Sequence, residues 1–75
     1  MIEKINLKKE VGNRIKEARK NASLTQKEVA EKLRMTQQQY SRFENGIFEL
    51  DYYGLISISQ LFDVSVDYLL GLSEI

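Results

Sequence analysis

Four helix-start signals within residues 25–65 constrain this chain more than any other feature of its sequence. Two of them, Thr25 with Glu28 and Thr36 with Gln39, have the spacing of a capping box. In a capping box a Ser or Thr and a Glu or Gln three residues later each accept, through the side chain, a hydrogen bond from the other residue's backbone N–H. All four signals also have apolar residues at the spacing of a hydrophobic staple. The four capping residues are Thr25, Thr36, Asp51 and Ser65. Helices are therefore predicted to begin near residues 26, 37, 52 and 66.

The apolar spacing and the stop signals are also helical. One face of a first helix is indicated by Leu7, Val11, Ile15 and Ala18, with Asn6 as its cap. Gly46, after Asn45, and Gly71 supply residues suited to the left-handed backbone that ends a helix. The chain has no Pro and no hairpin signal. We therefore predict an all-α fold, a compact bundle of five short helices joined by tight turns.

The five helices are predicted to share one core, because helices of about eight to ten residues are marginal alone. The predicted core residues are Val11, Ile15, Ala18, Leu24, Val29, Ala30, Leu33, Met35, Tyr40, Phe43, Leu55, Ile58, Leu61, Phe62, Val66 and Leu69. With 75 residues there is room for a single domain, assigned to residues 7–75. Residues 1–6 are predicted to form an N-terminal arm.

The composition excludes most enzymes. The sequence has no Cys and no His, which removes thiolate nucleophiles, zinc–thiolate sites and the commonest general base. It also has no glycine-rich phosphate loop and no carboxylates at metal-binding spacing, so we expect no catalytic residue, metal, cofactor or small-molecule ligand. No apolar run approaches the ~20 residues of a membrane span, and the start is not a signal peptide. A cytoplasmic location is expected.

The charges are neutral in total but strongly segregated. Residues 1–43 carry all 11 basic residues and five acids, a net of +6, whereas residues 44–75 carry six acids and no basic residue, a net of −6. Such asymmetry can give a basic face that attracts a polyanion while the molecule stays neutral. On charge alone, a solvated surface is an equally good interpretation.

The stretch from Thr25 to Gly46 carries the most functional information. Two short helices joined by a tight turn cross steeply, so the outer face of the second helix is free to enter a groove. With Tyr40 and Phe43 directed to the core, the residues that face outward are Gln37, Gln38, Ser41 and Arg42, and none is acidic. Gln can pair with adenine and Arg with guanine in the major groove. The second and third helices are therefore predicted to form a helix-turn-helix, with residues 37–45 as the helix that reads double-stranded DNA.

At these residues the chain resembles the lambda-repressor-like (Cro-type, XRE) helix-turn-helix family of phage and bacterial transcriptional regulators. The matching segments are RIKEARK (residues 14–20), LTQKEVAEKL (24–33), TQQQYSRFENG (36–46) and, more loosely, LFDVSVDYLLG (61–71). The resemblance covers about residues 7–72 and implies a sequence-specific regulator, most often a repressor, that occupies an operator.

The resemblance also implies roles for single residues. Gln37, Gln38, Ser41 and Arg42 stand at the base-facing positions. Gln26 stands where family members place a Gln that touches a phosphate and braces the first base-reading amide. Thr25 and Asn45 match positions that contact the DNA backbone, and Lys27, next to Gln26, is predicted to contact the backbone through its charge. Arg19 and Glu44 match a structural ion pair.

Two departures from the family pattern have physical consequences. Arg34 occupies a turn position that is often Gly, so a non-Gly residue is expected to adopt a positive φ, at a cost of about 1 kcal/mol. The loop after Gly46 often carries Lys or Arg for phosphates, but here it is Ile47-Phe48-Glu49. Fewer phosphate contacts would weaken binding and flatten its salt dependence.

Several alternatives stay open at the level of sequence. The Gln residues can be a solvated face, and Arg42 can pair with Glu28 or Glu31. The same fold can serve as a protein-interaction module, such as an antitoxin or adaptor. The apolar residues outside the predicted core can cap the interior or join two copies in a homodimer through the C-terminal half. These residues are Ile47, Phe48, Tyr52, Tyr53, Leu70, Leu72 and Ile75.

Overall fold

A computed structural model describes the backbone of residues 4–75 and the side chains from residue 6 onward. In this part of the chain every regular element is a helix: α1 (Lys4–Asn21), α2 (Gln26–Lys32), α3 (Gln37–Glu44), α4 (Tyr52–Phe62) and α5 (Val66–Leu70). The all-α prediction is confirmed, and so are the four predicted helix starts. Of these five helices, none is long and apolar enough to cross a membrane.

The beginning of the chain differs from the prediction. Helix α1 already includes Lys4, so Asn6 lies inside the helix and is not its cap. Residues 4–6, assigned to the arm, are helical, whereas residues 1–3 lie outside the described part. The physical reason is that residues 4–6 contain neither Pro nor Gly, and adding residues to an existing helix is far easier than starting one.

The predicted caps form at the starts of α2 to α5. In α2 the Thr25 hydroxyl accepts a hydrogen bond from the Glu28 N–H at 3.1 Å, and the Glu28 carboxylate accepts one from the Thr25 N–H at 3.0 Å. Thr36 and Gln39 repeat this arrangement with the same two distances in α3. The side chains of Asp51 and Ser65 accept single bonds at the starts of α4 and α5. Gln39 is therefore engaged in its capping box.

The helices end in one common way, with a residue in the left-handed region. These residues are Ser23, Arg34, Gly46, Asp63 and Gly71, with φ between 55° and 80°. After each, the N–H of an apolar residue bonds to the carbonyl five residues back, as Met35 does to Ala30 at 3.0 Å, which is the Schellman arrangement. The positive φ predicted for Arg34 is confirmed, at 57°. These closures stop each helix within two residues and keep the turns short.

The core lies where the five helices meet. Its fully enclosed side chains are Ile15, Val29, Tyr40, Ile58 and Leu69, joined by Ala18, Ala30 and Phe62. Phe43 and Val66, predicted to be core residues, are only partly buried and lie outside this cluster. The ring of Phe43 instead packs edge-to-face against Phe48, with 6.0 Å between ring centres.

The contact between α1 and α3 depends on Gly12. A side-chain carbon at Gly12 would lie 2.5 Å from the carbonyl oxygen of Glu44 and 2.6 Å from that of Phe43. Since heavy atoms cannot approach that closely, any larger residue would push α1 away from the end of α3. The close approach fixes where α3 sits, and the sequence pattern did not indicate it.

Candidate nucleic-acid interface

The outer face of α3 forms one side of a shallow hollow. The residues that line it are Gln26, Gln37, Gln38, Ser41 and Arg42. They are the four residues predicted to face bases together with the residue predicted to brace them, and none of the five is acidic. Gln37 and Gln38 are exposed, whereas Gln26, Ser41 and Arg42 are partly buried. The hollow therefore offers amide, hydroxyl and guanidinium groups on a surface held by α2 and α3.

Arg42 is held by an aromatic ring. Its guanidinium carbon lies 5.3 Å from the ring centre of Phe48, within the range of a cation–π contact. Glu28, one of the two acids considered as alternative partners, instead accepts a hydrogen bond from the Thr25 N–H in its capping box. Sequence reasoning missed Phe48, because nothing local links a loop residue to a side chain six positions earlier. The one indication in the sequence is that Phe48, an aromatic residue, follows the Asn45-Gly46 helix end by two residues.

The remaining predicted DNA-backbone residues lie at the start of α2 and directly after α3. Thr25 and Lys27 flank Gln26 at the start of α2, and both are exposed. Asn45 lies directly after α3, as its C-terminal cap, and its side-chain N–H donates to the Ser41 hydroxyl at 3.3 Å. None of these three lines the hollow. They frame it.

Arg19 and Glu44 form an ion pair beneath the hollow. Arg19 Nε donates to Glu44 Oε2 at 2.6 Å, and Arg19 Nη2 donates to Oε1 at 3.2 Å. Only 1% of the Glu44 side chain is exposed, against 12% for Arg19. The third nitrogen of the guanidinium, Nη1, donates to the Leu24 carbonyl just before α2. One side chain of α1 thus holds the beginning of α2 and the end of α3.

The same carboxylate fixes the orientation of Gln26. The side-chain nitrogen of Gln26 donates to Glu44 Oε1 at 3.0 Å. Because an ionised carboxylate only accepts hydrogen bonds, the amide nitrogen must face it and the amide oxygen is left for other partners. The sequence patterns indicated Gln26 and Glu44 separately and did not connect them.

Burial and hydrogen bonding act in opposite directions on Glu44. Burial alone would raise its pKa, but the hydrogen bonds, led by the one from Arg19, outweigh it and hold the pKa below its usual value. Tyr40, enclosed beside this pair, has its pKa raised, chiefly by burial and then by the neighbouring Glu44. At neutral pH the site therefore contains a carboxylate, a guanidinium and a neutral phenol.

Comparison with known proteins gives both the family and the fold. The chain matches the helix-turn-helix family over residues 15–69. It is 45% identical over 65 residues to the HTH-type transcriptional regulator ImmR of Bacillus subtilis (strain 168), covering 87% of this chain and 51% of ImmR. It is 48% identical over 56 residues to the uncharacterized HTH-type transcriptional regulator YqaE of the same strain, covering 75% and 48%. The chain thus spans about half the length of these curated relatives.

A solved structure supports the fold. The DNA-binding domain of S. venezulae BldD superposes with a TM-score of 0.76 at 22% identity, over 87% of this chain and 97% of that domain. The identity is low, so the likeness concerns the arrangement of helices.

Acidification is expected to destabilise the protein through Glu44. Its pKa is lower in the folded state than the ordinary value of 4.5, so its stabilising contribution is complete above about pH 4.5 and is lost as the pH falls through the folded pKa. Urea-unfolding midpoints between pH 7 and 3 would measure the loss, and NMR titration of the Glu44 side-chain carboxyl would assign it.

A Glu28→Gln variant is the matched control, because Gln also completes a capping box and the Glu28 carboxylate is exposed. It should keep most of the acid sensitivity. A Glu44 titration midpoint at or above 4.5 would contradict the account.

Proposed function

The chain belongs to the helix-turn-helix family, and from that premise we propose that it is a DNA-binding transcriptional regulator that represses by occupying an operator. Residues 7–75 form the DNA-binding domain in this proposal, and the protein acts in the cytoplasm. The curated relatives ImmR and YqaE are HTH-type transcriptional regulators. The proposal concerns a binding event, without catalysis or a cofactor.

The observation that carries the proposal is the polar, acid-free face of α3. Eight residues of helix span about 12 Å, and the major groove is about 12 Å wide. Gln37 and Gln38 are exposed amides at the start of that helix, each able to pair with the N6 and N7 atoms of adenine. Arg42, one turn further, can pair with guanine, and Ser41 can bond to either kind of base edge. We assign base contacts to these four residues.

The residues framing this face are assigned to the DNA backbone. Thr25, Gln26 and Lys27 lie together at the start of α2, where they meet one strand, and Asn45 lies at the far end of α3. Backbone contacts set the register of a protein on DNA, and base contacts set its specificity. The bond from Gln26 to Glu44 supports this division, because it leaves the Gln26 amide in one defined orientation beside Gln37.

Selection from a random duplex pool at about 150 mM salt tests the proposal. Wild type should enrich a defined sequence, and the Gln37→Ala/Gln38→Ala double variant should lose that enrichment, since each base pair read by a bidentate amide contributes about 1–3 kcal/mol of discrimination. Asn21→Ala is the matched control, because Asn21 is an exposed amide at the end of α1, outside both the hollow and α4.

The control should enrich the same sequence as wild type. If wild type enriches nothing, or if the double variant enriches the wild-type sequence equally well, the α3 face does not read DNA. The fold would then serve a protein partner, as an antitoxin or adaptor does.

The proposed regulator is a homodimer joined through α4. No residue of α4 is charged, and its solvent side exposes Tyr52 at 89%, Tyr53 at 81% and Ile56 at 49%. In a two-fold dimer the same surface of both protomers forms the interface. A charged surface would repel its copy there, whereas the uncharged α4 face would not. Exposed apolar clusters of this kind mark interaction sites. Two α3 helices about 34 Å apart would then meet successive turns of DNA.

Sedimentation at high micromolar concentration, with and without the selected duplex, tests the dimer. Wild type should sediment as a dimer, and Tyr52→Ser/Tyr53→Ser as a monomer, since the variant removes two large side chains from the α4 face. Leu72→Ser, at an exposed apolar position outside α4, should leave the dimer intact. A wild-type monomer under both conditions would contradict this part of the proposal.

A further inference from the structure

Resting on the proposed function, we infer that Lys8 and Lys9 of α1 each bind a DNA phosphate at the C-terminal end of α3. The loop after α3 carries Ile47, Phe48 and Glu49 and has no basic residue of its own. The structure brings two basic residues to that loop from a distant part of the sequence. They were not among the residues that the sequence pattern predicted to touch DNA.

Two contacts place these lysines at the loop. The ammonium group of Lys8 donates to the Ile47 carbonyl oxygen across 3.5 Å. Lys9 packs on Gly46 so closely that a side-chain carbon at Gly46 would lie 2.8 Å from both Cα and Cγ of Lys9. Gly46 also has φ +72°, so neither the space nor the backbone suits a larger residue. The early turns of α1 therefore cover the loop that follows α3.

The loop adjoins the hollow on the outer face of α3. The ring of Phe48 makes a cation–π contact with the guanidinium of Arg42, and Arg42 lines the hollow. Ile47, the preceding residue, provides the carbonyl that Lys8 approaches. The chain of contacts thus leads from the base-reading residues directly to the two lysines.

The position of Lys8 and Lys9 suits contact with one of the two phosphate backbones that border the major groove. Gln26 and Lys27 lie at the start of α2, and Lys8 and Lys9 lie against the loop that follows the last turn of α3. The major groove has a phosphate backbone on each side, about 12 Å apart. A helix lying in the groove would have Gln26 near one backbone and these lysines near the other.

The surroundings of Lys8 and Lys9 determine how strongly these lysines can bind a phosphate. Lys8 is partly buried, so its aliphatic stem covers apolar surface while its charged end stays accessible. Its bond to Ile47 is long, and an ammonium group has three N–H donors, so donors remain for a phosphate. Glu49 lines a different pocket from the hollow, together with Lys8 and Phe48, and its negative charge opposes an incoming phosphate. Glu44 is nearby but is committed to Arg19 and Gln26.

The salt dependence of binding to the selected duplex tests this inference. Each lysine–phosphate contact contributes about 0.9 to the slope of log K against log salt concentration. Lys8→Gln and Lys9→Gln should each make the slope shallower by about one, weaken binding several-fold at 150 mM salt and leave the selected sequence unchanged. Glu49→Gln should strengthen binding.

Lys32→Gln is the matched control, since it removes one positive charge from an exposed site at the end of α2 opposite to Gln26. Its slope should stay at the wild-type value. If Lys8→Gln and Lys9→Gln keep the wild-type slope, or if Lys32→Gln flattens it equally, the lysines make no local contact and the inference is wrong. If wild type selects no duplex at all, the proposed function fails, and this inference fails with it.

Discussion

The buried ion pair between Arg19 and Glu44 is the interaction on which the rest of this structure depends. It joins the end of α1 to the last residue of α3, and through the Leu24 carbonyl and the Gln26 amide it also holds the start of α2. Removing one partner would leave a charge enclosed without its counterion, which costs about 3–5 kcal/mol. In a domain this small that is a large share of the total stability. The geometry of the helix-turn-helix and its stability thus rest on the same pair.

Short helices can support this arrangement because their ends are closed locally. Caps at the starts and left-handed residues at the ends satisfy backbone groups that a helix of five to eleven residues would otherwise leave open. Three of the five left-handed residues, Ser23, Arg34 and Asp63, are not Gly, so the fold accepts a backbone cost of about 1 kcal/mol at each. In return the turns between helices are abrupt, and one face of α3, with Gln37 and Gln38, stays exposed.

The features that could be predicted from the sequence are the local ones. Thr25, Thr36, Asp51 and Ser65 fix the helix starts through bonds that span three residues, so their spacing alone was sufficient. Three contacts could not be predicted: that of Gly12 with the end of α3, that of Phe48 with Arg42 and that of Lys8 with Ile47. Each joins residues of different structural elements, which come together only when the chain folds. No periodicity reports such contacts. The predicted beginning of α1 was wrong because no residue near Lys4 marks a helix boundary.

The most direct test of the account is an NMR titration of isotope-labelled protein with the selected duplex, following backbone amides and the side-chain amides of Gln. The largest shift changes are expected along α3 from Gln37 to Arg42 and in the side-chain amides of Gln26, Gln37 and Gln38. If the largest changes fall instead on the α4 face from Tyr52 to Ile56, with α3 unmoved, then α3 does not read DNA and the central claim is wrong.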